Sequence, residues 1–164
     1  RDHAALAYQG VRAEDRRFRA DLRFELDGSL PKAKLPYSDL ARVLVNVVNN
    51  ACYATRERRV RESDGFVPEV VVSSRLDGES VVVCVRDNGG GIPPALQRRV
   101  FDPFFTTKPP GDGTGLGLSM SYDIIVNQLG GAMRIDSVVD EHTALVFRIP
   151  LTDAMGQGIG ERSE

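Results

Sequence analysis

Asn46-Val-Val-Asn-Asn-Ala51 lies in the middle of the longest helical pattern in the chain. The pattern begins at a capping residue, Ser38 or Asp39, and continues to about Arg61. Its apolar residues fall on one face when successive residues are turned by about 100°. These residues are Leu40, Leu44, Val47, Val48 and Ala51. Asn46 and Asn50 share a stripe at the edge of that face. The sequence therefore predicts an amphipathic helix with two amides at the rim of the core, where a pocket would lie.

Short runs of β-branched residues surround this helix in the sequence. The predicted strands are 18–26, 70–74, 81–86, 132–138 and 143–149. Shorter helices are predicted over 93–100 and 116–129, and the proline- and glycine-rich residues 102–115 form a loop between them. Strands that pair locally, with helices between the pairs, predict an α+β fold. We expect a two-layer sandwich in which a mixed sheet packs against about three helices.

Composition narrows the possible functions. The chain has 164 residues, of which 41% are hydrophobic and 27% charged, as in one globular domain with a core. A net charge of −2 argues against a nucleic-acid surface, and the basic run 56–61 is interpreted as a solvated helix end. Cys52 and Cys84 lack metal-binding spacing and are interpreted as buried thiols. No apolar stretch has the length of about 18 residues that a membrane-spanning helix needs.

A carboxylate followed by glycines comes directly after a predicted strand, in Asp87-Asn-Gly-Gly-Gly-Ile92. Asp87 could accept a hydrogen bond from an exocyclic amine, such as N6 of adenine. Gly89 and Gly91 would let the backbone turn tightly and a flat ring approach closely. An ordinary Asp-Asn-Gly turn is the alternative, and this segment taken alone favours the turn.

An aromatic segment, Phe101-Asp-Pro-Phe-Phe-Thr-Thr-Lys108, leads into the loop. Phe104 and Phe105 are bulky for a loop, so we expect them to dock on another part of the protein. Lys108 places a cation where it could reach a phosphate. A hydrophobic anchor followed by a surface lysine is an equally good interpretation.

Alternating glycines run from the loop into the next helix, in Gly111-Asp-Gly-Thr-Gly-Leu-Gly-Leu-Ser119. Glycines expose backbone N–H groups, and a helix N-terminus adds the positive end of its dipole. The segment therefore favours an anion cradle over a flexible linker. No strand leads into it and no Gly-Lys-Ser/Thr follows, so it is neither a Rossmann fingerprint nor a P-loop.

The four segments, in this order and spacing, resemble the catalytic ATP-binding domain of sensor histidine kinases. This domain has the Bergerat-type fold shared with the gyrase, heat-shock chaperone and mismatch-repair ATPases. The resemblance covers roughly residues 18–150. The matching segments are Asn46–Ala51 (the asparagine box), Asp87–Ile92 (the first glycine box), Phe101–Phe105 (the phenylalanine box) and Gly113–Leu118 (the second glycine box).

The resemblance implies a role for each matching position. Asp87 would bind the adenine amine, Asn50 would coordinate Mg²⁺, and Asn46 would line the phosphate region. Residues 102–115 would form the ATP lid, and the second glycine box would hold the triphosphate and let the lid move. The remaining residues predicted to bind the nucleotide are Tyr53, Gly89, Gly91, Ile92, Phe101, Thr106, Thr107, Lys108, Gly113, Thr114, Gly115, Leu116, Gly117 and Leu118.

The chain departs from the family at the phosphate end. Many members carry a lysine three residues after the Mg²⁺-binding asparagine, where this chain has Tyr53. One turn further on, Glu57 would repel phosphate. Lys108 on the lid or Arg42, one turn before Asn46, would supply the missing charge, and we favour Lys108.

A second departure bears on the reaction. The related ATPases place a glutamate, the general base for water, where this chain has Asn46. An amide cannot take a proton at neutral pH, so transfer of the γ-phosphoryl group to a histidine is favoured over hydrolysis. Asn46 and Lys108 are the catalytic candidates. An ATPase of the same fold, a serine kinase of the anti-sigma-factor type and a non-catalytic nucleotide-binding module remain alternatives.

The phosphoacceptor is expected outside this chain, because neither His3 nor His142 has the surroundings of an acceptor. We expect 1–17 to be the end of a helix or linker from an upstream dimerisation and phosphoacceptor domain, 18–151 to be the catalytic domain, and 152–164 to be a flexible tail. The chain starts without methionine, as a part of a longer protein would. The resemblance implies a response-regulator receiver domain as the downstream partner. It also implies a cytoplasmic location, a monomeric isolated domain and a homodimeric full-length protein.

Overall fold

The computed structural model describes residues 1–33, 35–62 and 65–151 of the chain. Helices and strands alternate in blocks along it. The elements are α1 (Asp2–Glu14), β1 (Asp21–Leu26), α2 (Tyr37–Glu62), β2 (Glu69–Asp77), β3 (Ser80–Asp87), α3 (Pro94–Gln97), α4 (Gly117–Tyr122), β4 (Ala132–Val138) and β5 (His142–Pro150). A π-helical segment, Asp123–Gln128, continues α4.

The strands form one mixed sheet in the order β1-β2-β3-β5-β4. β1 runs parallel to β2, and all other neighbours are antiparallel. β2 and β3 are joined by a two-residue turn at Gly78 and Glu79, as the hairpin pattern predicts. The α+β fold with a mixed sheet packed against helices is confirmed.

The core lies between this sheet and α2. Val43, Val47 and Val48 of α2 are buried at helical spacing, and they belong to the same cluster as residues of the strands. The fully buried strand residues at its centre are Val70, Val85 and Phe147. Each such side chain removed from water contributes about 1.5–3 kcal/mol. This packing fixes the rotation of α2, and therefore the direction in which its polar edge points.

Helix α1 joins the same core. Ala4 and Ala7 are buried in it, and the Tyr8 hydroxyl is bound to both backbone groups of Ala20, at 2.9 Å to the carbonyl oxygen and 3.0 Å from the amide nitrogen. The boundary predicted between residues 17 and 18 stays a prediction. Residues 2–14 nevertheless pack as part of the domain that follows them.

Several element boundaries differ from the predicted ones. The first strand begins at Asp21 instead of 18, because Phe18 turns into the core before the strand starts. The helix predicted over 93–100 ends at Gln97. The last strand begins at His142, one residue before the predicted start, and His142 pairs with Val138.

The helix predicted over 116–129 changes its winding in the middle. From Asp123 it is π-helical, and the amide of Leu129 donates to the carbonyl of Ile124 at 3.0 Å, five residues back. The predicted flexible tail, 152–164, lies outside the described residues. None of the helices in the described ranges has the length and apolar character needed to cross a bilayer.

Phe147→Ala is expected to lower the free energy of unfolding by about 3–5 kcal/mol, because it empties a site that is 1% exposed at the centre of the core. The matched control is Phe104→Ala, which removes a ring that is 74% exposed and should change the free energy by less than about 0.5 kcal/mol. Urea unfolding followed by circular dichroism measures both. Equal losses in the two variants would contradict this description of the core.

Candidate functional site

A cavity of about 490 Å³ lies between α2, the loop after β3, the lid segment 102–115 and the start of α4. Residues from all four sequence segments, or directly adjacent to them, line it. The predicted site residues among them are Asn46, Asn50, Tyr53, Gly91, Ile92, Thr106, Thr107, Lys108, Gly113, Thr114, Gly115, Gly117 and Leu118. The fold therefore brings together segments that are up to about 70 residues apart in the chain.

Four residues that were predicted to contact the nucleotide do not line the cavity, namely Asp87, Gly89, Phe101 and Leu116. The ring of Phe101 packs on Tyr122, with 5.2 Å between the ring centroids. The carbonyl of Leu116 accepts from the amide of Met120 at 3.0 Å and begins the helical hydrogen bonds of α4. Both residues hold the lid ends against α4 instead of facing the cavity.

Gly89 also lies behind the cavity wall. A Cβ atom at Gly89 would stand 2.7 Å from the side chain of Ala54 and 2.7 Å from Oδ1 of Asp87. Only glycine lets the loop after β3 pass this close to α2. The close approach at Gly89 is thus to α2, and the approach of a flat ring at this position stays a prediction.

Asp87 is the last residue of β3 and is 5% exposed. Burial raises the pKa of this carboxyl group from its usual 3.8 to about 7, although the Gly89 amide and the Arg86 charge both oppose the shift. The Gly89 amide donates to Oδ1 at 2.8 Å. Cys52 of α2 lies nearby, and burial, with the Asp87 charge, raises its pKa to about 12. Asp87 is therefore a desolvated hydrogen-bond acceptor held by a backbone amide.

Asn46 and Asn50 lie one turn apart on α2 and make different contacts. The amide of Asn46 donates to the carbonyl of Gly117 at 3.1 Å and to the hydroxyl of Ser121 at 3.3 Å, which ties α2 to α4. The carbonyl oxygen of Asn50 accepts from the ammonium of Lys108 at 3.1 Å. Asn46 thus joins two helices at the cavity wall, and Asn50 meets the lid.

Lys108 lies inside the cavity, whereas Arg42 is exposed on α2 and does not line it. The Lys108 ammonium is 4.1 Å from the ring centroid of Tyr53, a cation–π contact. Burial lowers the pKa of Lys108, the charge of Arg56 lowers it further, and Asp112 raises it. The lid cation therefore lies over the tyrosine that stands where many family members carry a lysine.

The lid has a strained turn that separates its two phenylalanines. Gly115 has φ +70°, and a Cβ atom there would stand 2.7 Å from the Cα of Phe104. Phe104 itself has φ +64°, and its ring is 74% exposed, so the expectation that it docks is wrong. Phe105 lines the cavity, with the guanidinium of Arg99 4.5 Å from its ring centroid. The left-handed backbone at Phe104 points its ring toward solvent and leaves the ring of Phe105 at the cavity.

Arg58 and Arg61 line the cavity, and the sequence interpretation missed them. The further lining residues that it missed are Asn49, Ala54, Glu57, Gly90, Val100 and Phe105. The interpretation of 56–61 as a solvated helix end is wrong for Arg58, whose side chain is only 17% exposed. Arg58 follows Ala51 by seven residues, which is about two helical turns. This spacing on the buried face of α2 could have identified it.

Comparison with known proteins identifies the family. The family model described as histidine kinase-, DNA gyrase B- and HSP90-like ATPase matches residues 37–153. The chain belongs to this family. It is 42% identical over 118 residues to the two-component sensor PprA of Pseudomonas aeruginosa, and 32% identical over 144 residues to the sensory histidine kinase/phosphatase NtrB of Rhizobium meliloti. The matches cover 68% and 84% of the chain, but only 12% and 36% of the relatives' length.

Solved structures of this family agree with the fold. The catalytic domain of histidine kinase ThkA superposes with a TM-score of 0.73 at 30% identity, covering 92% of this chain and 91% of that one. The mycobacterial sensor histidine kinase MprB superposes with a TM-score of 0.67 at 24% identity, covering 96% and 95%, and supports the fold alone. Sequence and fold therefore agree that the chain is an ATP-binding domain of the histidine kinase-like ATPase family.

The buried carboxyl of Asp87 gives a test of this geometry. The pKa of Asp87 is about 7 in the folded protein and 3.8 in its usual state. Between these two pH values the folded protein therefore holds a proton that the unfolded chain has released. Stability should therefore fall as pH rises from 5 to 7. Asp87→Asn should remove a slope of about 1.4 kcal/mol per pH unit from this dependence.

Urea unfolding at several pH values measures the slope. Asp136→Asn, which changes an exposed carboxylate on β4, is the matched control and should leave the slope unchanged. Identical slopes for wild type and Asp87→Asn would show that Asp87 is not desolvated in the folded protein.

Proposed function

We propose that this domain binds Mg-ATP and transfers the γ-phosphoryl group to a histidine on a separate dimerisation domain. The observation that carries the proposal is the environment of Asn46. Its amide, which cannot act as a base, donates to Gly117 and Ser121 where the related ATPases hold a water-activating glutamate. Glu57, a carboxylate that lines the cavity, is 54% exposed and lies two turns beyond Asn50. The cavity therefore favours phosphoryl transfer over hydrolysis.

The charges around the cavity match the two ends of the nucleotide, with a carboxylate for the adenine amine and an ammonium for the phosphates. In the proposal, the Asp87 carboxylate accepts a hydrogen bond from the adenine amine beside the first glycine box. The triphosphate lies against Asn50, Lys108 and the second glycine box. A carboxylate at one end and an ammonium at the other would orient ATP in a single direction, because the reverse orientation places phosphate against a buried carboxylate.

The side chains that line the cavity could bind Mg²⁺ only if phosphate oxygens supply further ligands. Within the described part of the chain, no group of three or more His, Cys, Asp or Glu side chains could hold a metal. The Asn50 carbonyl oxygen is a suitable hard ligand, and magnesium is usually bound by one or two protein oxygens plus phosphates and water. When bound, Mg²⁺ supplies charge neutralisation at the phosphates. Asn50 would hold it, and Lys108 would then move from the Asn50 oxygen to the phosphates.

We further propose that the phosphoacceptor and the next partner lie on other domains. His3 packs edge-on against Tyr37, with 4.8 Å between ring centroids, and His142 lies in β5. Neither lines the cavity. PprA is named a two-component sensor, which supports a response-regulator receiver downstream. An acceptor domain in the same protein and a homodimer of the whole protein belong to the same proposal. The need for ATP supports a cytoplasmic location.

The purified chain should bind ATP yet incorporate negligible label from [γ-³²P]ATP, because it lacks a suitable acceptor. Mixed with the histidine-bearing dimerisation domain of a related two-component sensor, it should label that domain with acid-labile phosphate. Acid-stable label would indicate a serine kinase instead. Turnover of ATP by the isolated chain above roughly 1 s⁻¹ would indicate an ATPase.

Lys108→Ala should weaken ATP binding about tenfold or more, because it removes the ammonium proposed to meet the phosphates. Binding of adenosine, which has no phosphate, should be unchanged. Lys32→Ala, which changes an exposed lysine, is the matched control. Titration calorimetry measures both ligands, and unchanged ATP affinity in Lys108→Ala would exclude this role for Lys108.

A further inference from the structure

The Arg58 side chain makes an unusual set of contacts with the loop after β3. One of its guanidinium nitrogens, Nη1, donates to the carbonyl oxygens of Asn88 at 3.0 Å and Gly89 at 3.3 Å, and to that of Glu141 at 3.4 Å. Its Nε donates to the Glu62 carboxylate at 2.8 Å, and the guanidinium lies 4.7 Å from the ring centroid of Phe66. Arg58 therefore joins α2, the loop after β3 and the turn between β4 and β5.

Two of the three carbonyls that Arg58 binds belong to the residues directly after Asp87. Because peptide groups are planar, fixing the Asn88 carbonyl also fixes the direction of the Gly89 amide. That amide donates to Oδ1 of Asp87 at 2.8 Å. Arg58 thus orients the backbone group that holds the buried carboxylate, and it acts on Asp87 through this peptide group.

The other side of the same loop is held by the turn between β4 and β5. The Gly90 carbonyl accepts from the amide of Asp140 at 2.8 Å, and the Ile92 amide donates to the hydroxyl of Ser137 at 2.8 Å. Asp140 is in turn paired with Arg61. The loop after β3 is therefore held between two supports, one from α2 and one from the sheet edge, and Arg58 supplies the support nearest to Asp87.

We propose that Arg58 is a positioning residue for base recognition, holding the loop after β3 so that Asp87 selects a purine with an exocyclic amine. The inference rests on the proposed contact between Asp87 and the adenine amine. A guanidinium suits this task because its planar donors can meet several carbonyls at once, whereas a lysine ammonium offers a single point charge on a flexible stem. A loop released from Arg58 would let the carboxylate turn away from the base.

The test compares ATP with ITP, which has a carbonyl oxygen in place of the exocyclic amine. An ionised carboxylate accepts from the amine but repels the carbonyl oxygen. Binding is measured at pH 8.5, above the pKa of about 7 that burial gives Asp87, so that the carboxyl group is ionised. The wild-type chain should bind ATP about tenfold more tightly than ITP, which corresponds to one hydrogen bond to a charged group.

Arg58→Met keeps an unbranched apolar stem but removes the guanidinium. We expect it to weaken ATP binding about tenfold while ITP binding changes little, so that the ratio of the two affinities falls toward one. Arg59→Met, in the same basic run but exposed, is the matched control and should keep the wild-type ratio. Calorimetric titration of both nucleotides gives the ratios, and circular dichroism confirms that each variant is folded.

A purely structural role for Arg58 gives a different result. General loosening of the domain would weaken ATP and ITP equally, and an unchanged ratio in Arg58→Met would overturn the inference. If Arg58→Met does not fold, Arg58→Lys decides: a reduced ratio supports the inference and an unchanged ratio overturns it. If the wild-type chain shows no preference for ATP over ITP, the proposed role of Asp87 is excluded, and the inference about Arg58 is excluded with it. If only the Arg58 variants lose the preference, the result supports the roles of both Asp87 and Arg58.

Discussion

The packing of α2 against the sheet is the contact on which the site depends. Valines at helical spacing lock the rotation of this helix against β2 and β3. Once that face is buried, Asn46 and Asn50 must point along the edge of the core into the cavity, and Arg58 must meet the loop after β3. A rotation of about 100°, one residue of helix, would move the two amides away from the lid. The hydrophobic core and the site are therefore set by the same constraint.

The loop after β3 holds a buried carboxyl group that is electrostatically unfavourable. Asp87 is buried, it accepts a hydrogen bond from the Gly89 amide, and burial raises its pKa to about 7. A desolvated carboxyl group is unfavourable for folding, but it is a strong acceptor for a ligand that brings its own donor. Gly89 makes this possible, since any side chain there would collide with Ala54. The support from Arg58 then keeps the loop from relaxing to relieve the cost.

The proposed phosphate end of the cavity relies on a cation of the lid segment. Where many family members have a lysine on the helix, this chain has Tyr53, and the Lys108 ammonium lies over that ring and on the Asn50 oxygen. The cation is thus carried by the loop instead of the helix. Under the proposed function, phosphate charge would be met only when the lid is in place, so lid position and phosphate binding are coupled.

The sequence by itself determined the fold class, the long helix and the four segments of the site, because helical spacing, β-branched runs and glycine spacing are local patterns. It also identified Asn50, Tyr53 and Lys108 as cavity residues. It did not identify the contacts of Arg58, the outward turn of Phe104 or the inward packing of α1. Those depend on which backbone carbonyls, strained turns and apolar faces meet after folding. Distances between elements far apart in the chain are decided only by the tertiary structure, since no local pattern encodes them.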